Sequence, residues 1–315
     1  MILITGGTGF VGKELVRRLV ERGAAVRVSV RRTADNLPSQ VQEVLVAAMD
    51  GSMNWHEALH DTALVVHTAA RVHVMKEAAT DPLAEFRRVN VDGTLNLARQ
   101  AAVAGARRFV FISTVKVNGD FTPDGVAFSE DDLPSPADPY GVSKMEAERG
   151  LREIAFNTGM ELVIIRPPLV YGPGVKANFA ALANVVKKGW PLPLGAIHNK
   201  RSLVALDNLV DFIVTCLDHP KAANQTFLVS DGQDLSTAEL VRGLARWAGK
   251  PARLFSMPVW MLVAAGAALG KRDAVQRLTG NLQVDISKAR KMLDWVPPIT
   301  TDEGLKRVIL GAAIQ

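Results

Sequence analysis

The sequence predicts an α/β fold: a doubly wound parallel sheet joined to a smaller, mainly helical C-terminal domain. Three observations predict it. Short β-branched runs recur through the first half, separated by ten or more helix-compatible residues, a spacing that calls for parallel strands and right-handed crossovers. A glycine cluster stands between the first such run and the first helical pattern. After Arg166 the texture shifts to proline and glycine, and from Ser236 to Gln315 it is mostly helical.

Taken in order, Met1–Thr5 reads as a buried strand and Lys13–Arg22 as the first helix. Ala25–Val30, Val44–Ala47, Leu64–Thr68, Phe109–Ser113 and Leu162–Arg166 follow as strands with helical sequence between them. Pro167–Gly195 reads as loops around one short helix, Asn178–Lys188, because its prolines and glycines break regular structure. Ser202–Leu206 and Thr226–Val229 read as strands enclosing a helix that Asp207 is placed to cap. The expected division is 1–166 plus 203–231 for the sheet domain and 167–202 plus 232–315 for the cap.

Composition narrows the class further. The 315 residues are 48% hydrophobic and 22% charged, which describes a globular chain with a sizeable core. The formal charge is +5 and the pI about 9.4, but Lys and Arg are scattered with no run of five, so nucleic acid is not expected as a partner. The lone cysteine, Cys216, has no intramolecular partner and suits a reducing compartment. A strand beginning at Ile2 leaves no room for a signal peptide, and the apolar stretch Met261–Leu269 is too short to cross a bilayer. A cytoplasmic location without membrane insertion is the expectation.

Residues 6–12 read GGTGFVG, so Gly7, Gly9 and Gly12 fit the dinucleotide fingerprint and Gly6, Gly9 and Gly12 its wider variant. The cluster follows a strand and opens a helix, the context in which backbone N–H groups receive a pyrophosphate at a helix N-terminus. This is a Rossmann-type arrangement. The acidic residue expected at the end of the second strand is missing; Arg31 and Arg32 stand there. Arginine suits the 2′-phosphate of NADP(H), which favours NADP(H) over NAD(H), although two solvated loop arginines explain the sequence equally well. Asp50 is placed either to meet adenine or to cap the next helix.

The chain has two tyrosines. Tyr140 and Lys144 share one helix face at i and i+4, in a helix that Asp138 caps and Pro139 opens. An ammonium near a phenol favours the phenolate, which would let Tyr140 exchange a proton near neutral pH. The strand hydroxyls Ser113 and Thr114 are expected at the mouth where the cofactor's reactive ring lies.

GGTGFVG, STVKVNG (113–119), YGVSK (140–144) and the late VDISKARKMLDWVPP (284–298) together resemble an extended short-chain dehydrogenase/reductase of the NAD-dependent epimerase/dehydratase family, in the branch acting on nucleotide sugars. The likeness runs from residue 1 to about 310. It implies Thr114, Tyr140 and Lys144 as catalytic residues. Implied cofactor contacts are Gly6, Gly7, Gly9, Phe10, Val11, Gly12, Arg31, Arg32, Asp50, Gly51, Thr68, Ala69, Ala70, Asn90, Ser113, Tyr140, Lys144 and Pro167. For the substrate, Thr114 holds the sugar oxygen, Asn178 and Arg201 resemble diphosphate ligands, and Leu192 and Leu194 resemble the stretch that meets uracil. A second arginine usual near Gly280 is out of register, with Arg277 the nearest. Asn178 equally fits a helix cap, Arg201 a surface cation, and Asn90 an amide bonded to its local backbone.

Of the three chemistries on such a scaffold, 4,6-dehydration needs an acid and a base after the strand-end threonine, and Val115 and Lys116 stand there instead. Reduction of a UDP-linked 4-keto-6-deoxy-N-acetylhexosamine is the expected reaction, because the sequence resembles the UDP-N-acetylquinovosamine-type reductases of O-antigen synthesis. A 4-epimerase with tightly held NAD is the alternative, and a non-catalytic NAD(P)-sensing protein the second. His73 is placed to approach the substrate or to have no role. The expected partner is a nucleotide sugar, UDP-linked in preference, with a homodimer as an option and no metal.

Overall fold

The computed structural model describes residues 1–34, 37–72 and 81–311. The first half runs β1 (Ile2–Thr5), α1 (Phe10–Glu21), β2 (Val26–Val30), β3 (Gln42–Leu45), α2 (His56–Leu59), β4 (Leu64–His67), α3 (Pro82–Arg87), α4 (Thr94–Val103) and β5 (Arg108–Ile112). A turn of π-helix, Arg88–Gly93, joins α3 to α4. Next come α5 (Pro139–Thr158), β6 (Glu161–Arg166), β7 (Leu169–Tyr171), α6 (Ala177–Lys187), β8 (Leu203–Ala205), α7 (Leu206–Asp218) and β9 (Gln225–Leu228). The chain closes with α8 (Thr237–Trp247), α9 (Val259–Ala268), α10 (Arg272–Thr279), α11 (Ser287–Leu293) and α12 (Thr301–Leu310).

Seven parallel strands form the main sheet in the order β3-β2-β1-β4-β5-β6-β9. Alternation within each strand serves both faces. Ile4, Val28, Val66, Val110 and Ile165 meet Leu15 and Leu19 of α1 and Phe212 and Ile213 of α7. Leu3, Val65, Phe109, Phe111 and Ile164 meet Leu97 and Ala101 of α4 and Ala147 and Leu151 of α5 on the other. Each of the larger of these side chains, fully buried, contributes about 1.5–3 kcal/mol. The order reverses between β1 and β4, so a crevice for a ligand opens beyond the strand C-termini at that point.

The sheet domain departs from the sequence expectation in a few places. The third strand is shifted to Gln42–Leu45, two residues earlier than its β-branched run. Leu169–Tyr171, expected as loop, is a strand, and it pairs with Leu203–Ala205 in a separate two-stranded sheet. Asp207 does not cap α7; Ala205 holds that position without a side-chain bond, and Asp207 lies in the first turn paired with Arg307. That placement sets its charge beside the positive end of the helix dipole. The division at 167–202 and 232–315 remains a proposal. A separate cluster of Phe179, Leu194, Leu244 and Leu305 supports it, whereas Ala289, Leu293 and Trp295 pack with the sheet domain. Among the described residues, no helix is long and apolar enough to cross a membrane.

His67, at the end of β4, is wholly buried between sheet and helix. Its Nδ1 lies 2.6 Å from Thr5 Oγ1 and its Nε2 2.9 Å from Thr94 Oγ1, and the ring stacks on Phe111. Burial, reinforced by Lys144, pushes its pKa from 6.5 down to about 3. The stability that neutral His67 provides is therefore complete above pH 6.5 and is lost as pH falls toward 3. Denaturant unfolding at pH 7 and pH 4.5 (about 1.4 kcal/mol per unit for a fully protected group) should show a steeper acid loss in the wild type than in His67→Gln. Equal slopes in the two proteins would remove His67 as the source.

Candidate active site

The glycine cluster turns from β1 into α1. Gly6 has φ +72°, and a Cβ there would lie 2.7 Å from both Ala69 N and Thr68 Oγ1, while one on Gly12 would lie 2.2 Å from the Gly6 carbonyl oxygen. Those two positions admit nothing larger because loop, β4 end and helix are in contact. Gly9 differs: it is exposed, and beyond the Gly6 carbonyl at 3.1 Å a Cβ would meet nothing within 4 Å. Gly9 is also the N-cap of α1 and supplies no side-chain bond to the first-turn N–H groups of Phe10, Val11 and Gly12. An open, uncapped helix N-terminus fits a dinucleotide pyrophosphate. Thr68 and Ala69 face this turn from the end of β4, with Thr68 Oγ1 donating to the Thr5 carbonyl at 2.7 Å.

At the end of β2, Arg31 and Arg32 are both exposed. Asp50 caps no helix: its Oδ1 accepts from Ser52 N at 3.0 Å and Ser52 Oγ at 2.7 Å, which holds its carboxyl below the usual range. Gly51 is under no steric demand, since a Cβ would reach only Asp92 at 3.4 Å.

Tyr140 and Lys144 lie one turn apart in the first turns of α5. Asp138 Oδ1 accepts from Gly141 N at 2.7 Å and caps α5, with Pro139 in its first turn. Lys144 is buried, donating to the Ile112 carbonyl at 2.7 Å with its Nζ 4.2 Å from the centre of the Phe111 ring. Desolvation lowers its pKa from 10.5 to about 7, against a smaller upward pull from Glu148. The expected lowering of the Tyr140 phenol is corrected by the packing around it. Burial, and next the Asp138 carboxylate, push the Tyr140 phenol above its ordinary 10. Tyr140 therefore carries its proton at neutral pH.

Thr114 begins the turn after β5 and its Oγ1 accepts from Lys116 N at 3.3 Å. Val115 is buried, and Lys116 is engaged by Asp120 and Asp138. No carboxylate occupies either position beside Thr114. The Ser113 hydroxyl points elsewhere, donating to Glu148 Oε1 at 2.6 Å. The Pro167 carbonyl accepts from Val115 N at 3.0 Å and holds this turn against the end of β6.

Asn90 does more than bond its own turn. Its Oδ1 accepts from Arg71 N at 2.8 Å, and its Nδ2 donates to the Arg71 carbonyl and to Ser143 Oγ, both at 3.0 Å. Ser143 Oγ in turn donates to the Tyr140 carbonyl at 2.8 Å. Asn90 thereby fixes the first turn of α5 relative to the loop after β4. His73 lies outside the described residues.

On the cap side, Arg201 is largely enclosed, donates to the Gly280 carbonyl at 3.1 Å, and has its pKa lowered by burial and then by Arg277. The out-of-register Arg277 is therefore close enough to repel Arg201, and two neighbouring guanidiniums favour an anion between them. Asn178 does not cap α6, because Lys176 holds the N-cap position. The Leu192 N–H and C=O are paired with Arg253 and Phe255, and the Leu194 side chain is buried. A groove of about 1190 Å³ runs beside the glycine turn, walled by Gly9, Phe10, Lys13, Lys176 and Asp207 among others. Tyr140, Thr114 and Arg201 are not in its walls, so it is not the reaction centre.

Residues 2–230 match the family profile described as the NAD dependent epimerase/dehydratase family. The chain belongs to that family. As a member of the epimerase/dehydratase family it is an NAD(P)-dependent enzyme of the extended short-chain dehydrogenase/reductase kind, with the Rossmann-type fold seen above. It is 51% identical over 312 residues to a Vibrio cholerae protein named UDP-glucose 4-epimerase, covering 97% of this chain and 93% of that one. The fold matches a Thermotoga maritima UDP-glucose 4-epimerase at TM-score 0.79 and 24% identity, covering 98% and 97% of the two chains. A Thermus thermophilus UDP-glucose 4-epimerase in complex with NAD matches at TM-score 0.77 and 25% identity, covering 99% of each. The expected nearness to 4-keto sugar reductases is not what these relatives show, since each carries an epimerase name.

The sequence missed the group beneath the site. Arg166 makes a bidentate pair with Glu148, Nε to Oε1 at 2.9 Å and Nη2 to Oε2 at 2.6 Å, and its Nη1 reaches Asn118 Oδ1 at 3.0 Å. The available signal was that Glu148 continues the Tyr140–Lys144 face of α5 by one further turn.

Proposed function

We propose that this family member is a nucleotide-sugar 4-epimerase acting on a UDP-linked hexose with a retained NAD. The observation that carries this reading is the 51% identity, over 97% of the chain, to a relative named UDP-glucose 4-epimerase. The site supports it, because epimerisation needs a proton carrier and a hydride acceptor but no elimination acid or base. The chemistry a bound nicotinamide supplies is reversible hydride transfer at the sugar carbon. Gly9 and the first turn of α1 would hold the pyrophosphate, and Thr68–Ala70 would border it. Tyr140 takes the proton of the sugar hydroxyl as the ketone forms and returns it afterwards. For this the phenol must first lose its own proton against its burial and the Asp138 charge, and a charged Lys144 one turn along α5 would favour that loss. Thr114 Oγ1 orients the sugar oxygen. Arg201, with Arg277 behind it, offsets the diphosphate charge, with Asn178 and the 192–194 stretch toward the remaining nucleotide.

A second reading, NADPH-dependent reduction of a 4-keto nucleotide sugar, is favoured by one observation: β2 ends on exposed Arg31 and Arg32 with no carboxylate. One experiment separates the two. Purified protein is denatured to release any nucleotide, and native protein is incubated with UDP-glucose and UDP-N-acetylglucosamine without added cofactor. Co-purified NAD and interconversion of C4 epimers are expected. Nucleotide-free protein that oxidises NADPH with a 4-keto nucleotide sugar would transfer the assignment to reduction, and the Arg31→Ala/Arg32→Ala double change should then weaken NADPH far more than NADH.

A further inference from the structure

We propose that the α9–α10 hairpin seats this enzyme on anionic lipid bilayer surfaces, with α9 lying in the interface and not crossing it. Helix α9 is apolar at nearly every position, yet Gly266 is its one buried residue. There α10 packs so closely that a Cβ on Gly266 would lie 2.5 Å from Val275 Cγ2, and Leu262, one turn earlier, leans on the cap cluster. The rest of the helix faces outward: Trp260 is 70% exposed, Val259, Met261 and Val263 near 40%, and Leu269 at the C-cap 72%. Phe255, just upstream, is 46% exposed. An apolar helix of this kind belongs in a core or at a membrane, and most of its side chains are exposed.

Length and charge specify the partner. Ten residues extend about 15 Å, half of the roughly 30 Å hydrocarbon thickness, so α9 is too short to cross. It is flanked in sequence by the exposed cations Lys250, Arg253, Lys271 and Arg272, with Asp273 the one acid between 250 and 273. Setting aside Arg277, whose charge acts on Arg201, this short segment carries much of the chain's +5 excess. Cations flanking an apolar strip with a tryptophan on it match anionic headgroups above an acyl boundary. A second copy fits less well, because a two-fold contact would bring the same cations against each other.

The test is flotation of the full-length protein with phosphatidylglycerol-containing vesicles and with pure phosphatidylcholine vesicles, at low and high salt. Wild type should float with the anionic vesicles, less so at high salt, and weakly with phosphatidylcholine. Trp260→Glu/Val263→Glu should reduce flotation about tenfold, and Lys271→Glu/Arg272→Glu should remove the salt-sensitive part. Both variants should keep wild-type melting temperature and turnover, since none of these side chains is in the core or the site. Failure of the wild type to float, or flotation unchanged by both variants, would overturn the proposal. Self-association abolished by Trp260→Glu/Val263→Glu without flotation would overturn it in favour of a second copy.

Discussion

Tyr140→Phe is expected to lower kcat by about 10²–10⁴, the contribution of one positioned proton carrier. The ring remains, so its edge-on packing against Phe86 at 6.1 Å should survive, and with it the fold and dinucleotide binding. KM should move little, because the lost hydroxyl acts when the proton transfers. The pH profile carries independent information. Burial and Asp138 hold the phenol above its ordinary value, while desolvation brings Lys144 to about 7. Lys144→Met removes the cation one turn from Tyr140 on the same helix face and should shift the rising, base-dependent limb of the profile to higher pH as well as lowering kcat. A Tyr140→Phe enzyme with near-normal turnover would show that the proton travels by another route.

Glu148→Leu is expected to cost about 3–5 kcal/mol of stability, the range for leaving one partner of a buried ion pair without its counter-charge. The Glu148 and Arg166 side chains are 1% and 3% exposed, so water cannot replace the lost partner. Ser113 and Arg152 lose a bond to the same carboxylate. Arg166→Met should cost a similar amount. The double variant should be much less destabilised than the two losses added together, because neither charge is then stranded. Guanidinium unfolding of the four proteins measures this directly. Strictly additive losses would mean that the two side chains stabilise the fold independently.

Much of the fold was legible because its cause is local. Alternating β-branched residues separated by helix-length segments require a parallel sheet. Glycines at 6, 7, 9 and 12 after a strand require a tight turn into a helix. Asp138 and Pro139 announce the start of α5, and four-residue spacing puts Tyr140 and Lys144 on one face whatever surrounds them. Strand Leu169–Tyr171 escaped notice since three residues among prolines and glycines have no periodicity to read, and its pairing with Leu203–Ala205 supplies the reason it exists.

Local chemistry along the chain was enough to specify the sheet, the glycine turn, the one-turn spacing of Tyr140 and Lys144 and the lack of a carboxylate at 115 and 116. The electrostatics came from packing. It placed Asn90 on Arg71 and Ser143, closed Glu148 onto Arg166, enclosed His67 between two threonine hydroxyls, and brought Arg277 up to Arg201. It also reversed the expected direction for Tyr140. Propensity and spacing act over a few residues along the chain, whereas a proton affinity depends on how much water remains around the group and which charges lie across the fold. Those quantities arise only when segments far apart in sequence are packed against one another.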